Sequence, residues 1–159
     1  MKIHNQFWFP GRVPSMNELL NFKAGSRPMK KTWLVHKGTK PGTFKFNQYN
    51  EVKQDWKQKV VTTVRNVGFT AVDACYFNYL VVENTRKRDP SNIISSSIKF
   101  IEDGLSEAGV IPNDGWNNVL GITNYFTHQP LHEEGVFLVM TDVMLMPCTM
   151  MELYGQSKR

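Results

Sequence analysis

The sequence predicts an α+β domain in which one mixed or antiparallel sheet carries two main helices on it. Three observations predict this. Aromatic and β-branched runs of strand length alternate with two longer segments of helical period. Pro and Gly fall between these segments. The order is strand, basic loop, helix, strand, helix, two strands. A chain of 159 residues favours one domain, 1–159, able to bury a core without disulfides or structural metal.

Ile3 to Phe9 reads as the first strand, ended by Pro10-Gly11. Residues 19–47 hold seven basic residues and no acidic one: Lys23, Arg27, Lys30, Lys31, Lys37, Lys40 and Lys45. Phe22, Trp33, Phe44 and Phe46 are interleaved with them, and five Gly and Pro residues favour loop and hairpin over helix. An ordinary solvated loop would look like this. Phosphate contact combined with base stacking would also use this pattern.

The first helix is expected at 48–67, where Tyr49, Val52, Trp56, Val60 and Val64 make one apolar stripe. Trp56 then belongs to the core. Residues 75–84 form an aromatic, β-branched strand that runs into Thr85-Arg86-Lys87-Arg88-Asp89-Pro90. A second helix follows at about 92–108, with Ile94, Ile98, Ile101 and Leu105 facing the core and Gly109 just past its end. Asn113-Asp114-Gly115 signals a turn. Val119–His128 and Gly135–Met144 read as two strands, suggesting a hairpin. The tail, 145–159, receives no assignment; Met144, Met146, Met150 and Met151 suggest a soft contact for fold or dimer packing.

Composition narrows the function. Hydrophobic residues are 41% and charged residues 21%, a globular balance. No apolar run approaches the ~18 residues of a membrane span, and Met1–Pro10 lacks a signal-peptide core. A soluble, cytoplasmic protein is expected, with no membrane partner. Cys75 and Cys148 form no CxxC pair and are expected as free thiols. His128 and His132 are separated by Pro130 and do not make an HExxH helix. The net charge of +5 is divided: 12 basic and 3 acidic residues before position 61, 7 basic and 11 acidic after it. A polyanion-binding part and an acidic, metal-holding part would divide in this way.

The segment Arg86–Asp114 carries the chemistry. Arg86, Lys87 and Arg88 precede Asp89, and such cations favour the ionised carboxylate or meet phosphates. On the helix, Asn92, Ser96, Lys99 and Asp103 fall on one polar face. Asp114 follows in a turn that could return it to the helix start. Magnesium-dependent phosphodiester hydrolysis needs this inventory of hard oxygen ligands and a cation. Asp89 and Asp114 are the expected Mg²⁺ ligands, Asp103 a third, and Lys99 the electrostatic partner of the phosphate. A plain i, i+4 ion pair would give the same Lys–Asp spacing.

The run RKRDPSNIISSSIKFIEDGLSEAGVIPNDGW resembles the signature segment of the RusA-type Holliday-junction resolvases, in the form with one extra helical turn. Arg86–Asp89, Asn92, Lys99, Asp103, Leu105, Ala108-Gly109 and Asn113-Asp114 match it in order. Val13-Pro14-Ser15-Met16-Asn17 resembles the family's N-terminal Pro-Ser-x-Asn element. The resemblance covers about residues 3–144. It implies a homodimeric endonuclease that nicks opposing strands of a four-way DNA junction with Mg²⁺ held by aspartates, in recombination, repair or replication. The family is common in phages. Asp89 and Asp114 fall on its carboxylate positions and Lys99 on its essential lysine. One family aspartate is Ser91 here, a neutral and poor Mg²⁺ ligand, whose plain role would be a helix N-cap. Three accounts stay open: a weakened nuclease, a nuclease using Asp103 or Glu102 instead, or a branched-DNA-binding protein that does not cut.

Overall fold

The computed structural model describes residues 1–20 and 44–158. Strand β1 (Ile3–Pro10) leads to a short helix α1 (Met16–Leu20), and helix α2 (Phe44–Val67) follows. Strand β2 (Cys75–Glu83), helix α3 (Pro90–Ala108), strands β3 (Val119–His128) and β4 (Gly135–Thr141), and helix α4 (Pro147–Ser157) complete the described chain. The fold is α+β with a mixed four-stranded sheet in the order β1-β4-β2-β3.

The expected hairpin between the last two strands does not form. β4 lies between β1 and β2, antiparallel to both, and β3 pairs in parallel with β2. Burial decides this. All seven residues of β4 are buried, so it needs neighbours on both sides, while β3 is half-exposed along most of its length and sits at an edge. The parallel β2–β3 pair needs a crossover, and α3 supplies it.

Helices α2 and α3 cover one face. Val52, Trp56, Val60 and Val64 of the expected stripe are buried there with Phe7, Phe77, Phe100, Ile101 and Leu105. Helix α2 begins at Phe44, so the segment expected as basic loop is helical from 44 onward, and Lys45 lies on its first turn. Lys23, Arg27, Lys30, Lys31, Lys37 and Lys40 lie outside the described residues. The α2–α3 crossing is close because position 104 is Gly: a Cβ there would lie 2.6 Å from Val60 Cβ. Lys53–Asp103 at 2.6 Å and Lys57–Glu107 at 2.5 Å tie the exposed rim of that crossing.

The buried face of α3 is rotated from the expected one. Ile93, Ser96, Ser97, Phe100, Ile101, Glu102, Gly104 and Leu105 are buried, whereas Ile94 and Ile98 are only half-buried. The helix packs against α1 as well as α2. Ser96, expected on the polar face, is taken inward because its hydroxyl donates to Pro14 O. Gly109 has φ 83°, and the N–H groups there satisfy the last carbonyls of α3 as expected.

The tail is helical. Helix α4 covers the opposite face of the sheet, burying Met150 and Tyr154 against Leu80, Val82, Phe137 and Val139. Of the four clustered methionines only Met150 is buried; Met144, Met146 and Met151 are exposed. Asn78, a polar residue in the middle of β2, anchors the turn before α4. Its amide donates to Val139 O and Thr141 Oγ1, and its oxygen accepts from Thr123 Oγ1 and Leu145 N. Every hydrogen-bonding position of that buried side chain is used. Among the described residues, no helix is long and apolar enough to cross a membrane. Cys75 is a buried free thiol, its pKa pushed up to about 12 by burial, and Cys148 is an exposed one.

Candidate metal and nucleic-acid site

The site is built on the ends and exposed side of α3. At its N-terminus Asp89 is the N-cap and Pro90 the first helical residue, an arrangement that spends no backbone N–H on the proline. Asp89 Oδ1 accepts from the Ser91 N–H at 3.0 Å and the Ser91 hydroxyl at 2.7 Å. Asp89 Oδ2 accepts from the Asn92 amide at 3.0 Å. Asp89 is therefore the cap and Ser91 one of its donors, reversing the capping role expected for Ser91. Both carboxylate oxygens are oriented by the helix they start.

The basic run before it divides. Arg86 and Lys87 are exposed. Arg88 is turned inward: its side chain is 8% exposed, paired with Glu83 and Glu18 and donating to Val13 O. It braces the end of β2 against residues 13–18 rather than facing Asp89 or solvent. Ser15 and Glu18 form a reciprocal cap at the start of α1, Ser15 N–H donating to Glu18 Oε2 and Glu18 N–H to Ser15 Oγ. Burial alone would raise the Glu18 carboxyl, but the Ser15 N–H and the Arg12 guanidinium outweigh it and hold it below its usual range. The carbonyls of Val13 and Pro14 receive Arg88 and Ser96. The two sequence elements that carry the family resemblance thus dock on each other.

Farther along α3, Lys99 forms ion pairs with Asp103 at 2.8 Å and with Asp114. Lys53 holds the other oxygen of Asp103. Hydrogen bonds to the two aspartates keep the Lys99 ammonium protonated well beyond the usual lysine range. Burial would raise the Asp103 carboxyl, but its bonds to Lys53 and Lys99 outweigh this and lower it. Beneath the cluster lies Glu102, 7% exposed, which accepts from the Tyr79 hydroxyl at 3.5 Å. Burial, with the Asp114 charge adding to it, pushes its pKa up to about 7.

Asp114 is positioned by a tight turn in which Asn113 Oδ1 accepts from Gly115 N–H at 2.7 Å and Gly115 O accepts from Asn118 and Val119. That turn returns the chain to the middle of α3, not to its start. Ten residues separate Asp89 from Lys99, about 15 Å of helix. Lys99, Asp103 and Asp114 are brought together; Asp89 is not among them. Among the described residues, no group of three or more His, Cys, Asp or Glu is close enough to hold a metal ion. The donors are nonetheless hard carboxylate oxygens at a partly exposed surface. Such donors suit a Mg²⁺ that keeps most of its water and takes phosphate oxygens, not one held in a protein cage.

One side chain here escaped the sequence reading. Trp116, two residues past Asp114, is 98% exposed. Its only signal in the sequence was a large aromatic directly after a turn-forming Gly. No protein-family model and no curated protein matches this sequence.

Proposed function

We propose that this chain is a magnesium-dependent endonuclease for branched DNA, acting on four-way junctions as a homodimer in the cytoplasm. The observation that carries the reading is the Asp103–Lys99–Asp114 cluster, in which Asp114 returns from the following turn to the helix whose N-terminus presents Asp89. Asp103 and Asp114 would hold one Mg²⁺, and Asp89, too far along the helix to share it, a second hydrated ion; such an ion polarises a phosphate and makes a bound water more acidic. Lys99, kept protonated by its aspartates, offers positive charge to the phosphate oxygens as negative charge builds there. Arg86 and Lys87, exposed beside the helix start, and the basic segment before α2 bind the DNA backbone and set position without reading bases.

Asp89→Asn and Asp114→Asn test this. Asn caps a helix as well as Asp does, so Asp89→Asn removes charge while preserving the fold. Each variant should lose Mg²⁺-dependent cutting of a four-way junction and keep binding it. Full cutting by either would remove that residue from the site.

A second reading rests on Ser91. At the position where the resembling family carries an aspartate, this chain has a hydroxyl that donates to Asp89. A site short of one negative charge could bind junctions without cutting them. Junction-selective binding with no Mg²⁺-dependent product would favour it.

A further inference from the structure

We propose that Trp116 is the residue by which this chain selects branch points: its indole stacks on the open face of a nucleobase beside a phosphate at Asp114 and Lys99. The inference rests on the DNA reading above and deepens it by naming what the site recognises besides phosphate.

Trp116 differs from the other described tryptophans. Trp56 is buried with Lys59 over its ring, and Trp8 meets Tyr154 and carries Lys158 over its ring. Trp116 is 98% exposed and meets no ring, cation or hydrogen-bond acceptor among the described residues. An indole in water forfeits the large burial that normally fixes such a side chain. The backbone beneath it is nonetheless held. Gly115 N–H donates to Asn113 Oδ1 at 2.7 Å, and Gly115 O accepts from Asn118 N–H and Val119 N–H, both at 3.0 Å. The buried Asn118 donates its amide to Asp73 O, and its backbone O accepts from Cys75 N–H at 3.0 Å. These bonds tie the turn to the start of β2. A large aromatic on a fixed turn, packed on nothing of its own chain, has its contact outside the chain.

Place and chemistry select a nucleobase as that contact. Trp116 is two residues from Asp114, so their Cα atoms lie within about 7 Å. That is about two base steps along one strand. A phosphate at the Lys99–Asp114 pair therefore carries a base within reach of the indole. The rest of the turn is amide or bare: Asn113, Gly115, Asn117 and Asn118. A protein partner buries a broad patch with an apolar centre, and this turn offers one ring. Every base has a π face that fits one ring, whatever its sequence. Inside a duplex both faces are covered by neighbouring bases; at a branch point one can open. Stacking there binds branched DNA and passes over linear duplex, whereas phosphate contacts hold both alike.

The test compares Trp116→Ala and Trp116→Phe with the wild type, in chelator so that nothing is cut. Anisotropy gives affinities for a synthetic four-way junction and for linear duplex of the same arm sequence. Because the ring packs on nothing, both variants should melt with the wild type. Trp116→Ala should weaken junction binding at least tenfold, about 1.4 kcal/mol, and leave duplex binding unchanged. Trp116→Phe, which keeps a stacking face, should retain most of the junction affinity. An abasic site walked one nucleotide at a time across the branch point should reproduce the loss at one position, and Trp116→Ala should add nothing to it there. Unchanged junction affinity in Trp116→Ala overturns the proposal. So does an equal loss on junction and duplex, which makes the indole a general backbone contact. Cutting, measured separately with Mg²⁺, tells the two proposals apart. A chain that needs Trp116 to prefer junctions but nicks nothing leaves this inference standing and removes the nuclease. A chain whose Trp116→Ala variant binds and nicks junctions as selectively as the wild type does the reverse. A wild type that binds no DNA removes both.

Discussion

Ser91 is the residue on which the proposed catalysis turns. Its hydroxyl and backbone N–H both donate to Asp89, so it already faces the oxygen that a metal would share. Ser91→Asp places a second carboxylate there and should raise Mg²⁺-dependent junction cutting at least tenfold, read as initial nicking rate. An unchanged rate would show that the serine is not a lesion. Glu102 gives a pH prediction. Its folded-state pKa is about 7, above the 4.5 of a free side chain. The folded state therefore holds the proton more tightly, and stability is lost as pH rises from about 4.5 through 7. Glu102→Gln should stabilise the chain above pH 7 by about 1–3 kcal/mol and change little below pH 4.5. Denaturant melts at pH 4 and pH 8 in chelator check this; equal effects at both would contradict it.

The elements show which physical signals survive in a sequence. Periodic stripes survive best: α2 and α3, four strands, and the Gly109 cap stand close to where spacing predicts them. Three things did not show. The face of α3 was misjudged because Ser96 and Ser97 are polar in type but buried, their hydroxyls bonded to backbone carbonyls that no periodicity reveals. Strand partners were misjudged because the β3-to-β4 connection is short enough for a hairpin, and only total burial moves β4 to the centre. Helix α4 was missed because it buries just two side chains, Met150 and Tyr154. The α2–α3 crossing supplies a stability test. Gly104→Ala adds helix propensity yet forces a Cβ onto Val60 and toward Lys57 O. Despite the propensity gain it should destabilise by about 1–3 kcal/mol, and adding Val60→Ala should recover part of that in chemical denaturation.

At the scale of the whole molecule, the candidate site was half legible. Residue types and order pointed to Asp89, Lys99, Asp103 and Asp114, and the fold assembles the last three. That Arg88 is structural was hidden, because its partners Glu18 and Glu83 are 70 and 5 residues away and only the tertiary fold brings them together. Charge remains the long-range feature: 12 of the 19 basic residues precede position 61. A protein that grips several phosphates releases counterions, so junction affinity should fall about 10³-fold or more between 50 and 200 mM salt. Salt-insensitive binding in a filter or anisotropy titration would remove DNA from the account. The most direct measurement incubates the purified chain with a synthetic four-way junction and with linear duplex, each with Mg²⁺ and with chelator. Paired nicks in opposing arms of the junction, dependent on Mg²⁺ and absent from the duplex, are the predicted result. A junction that is neither shifted nor nicked by the chain would contradict it.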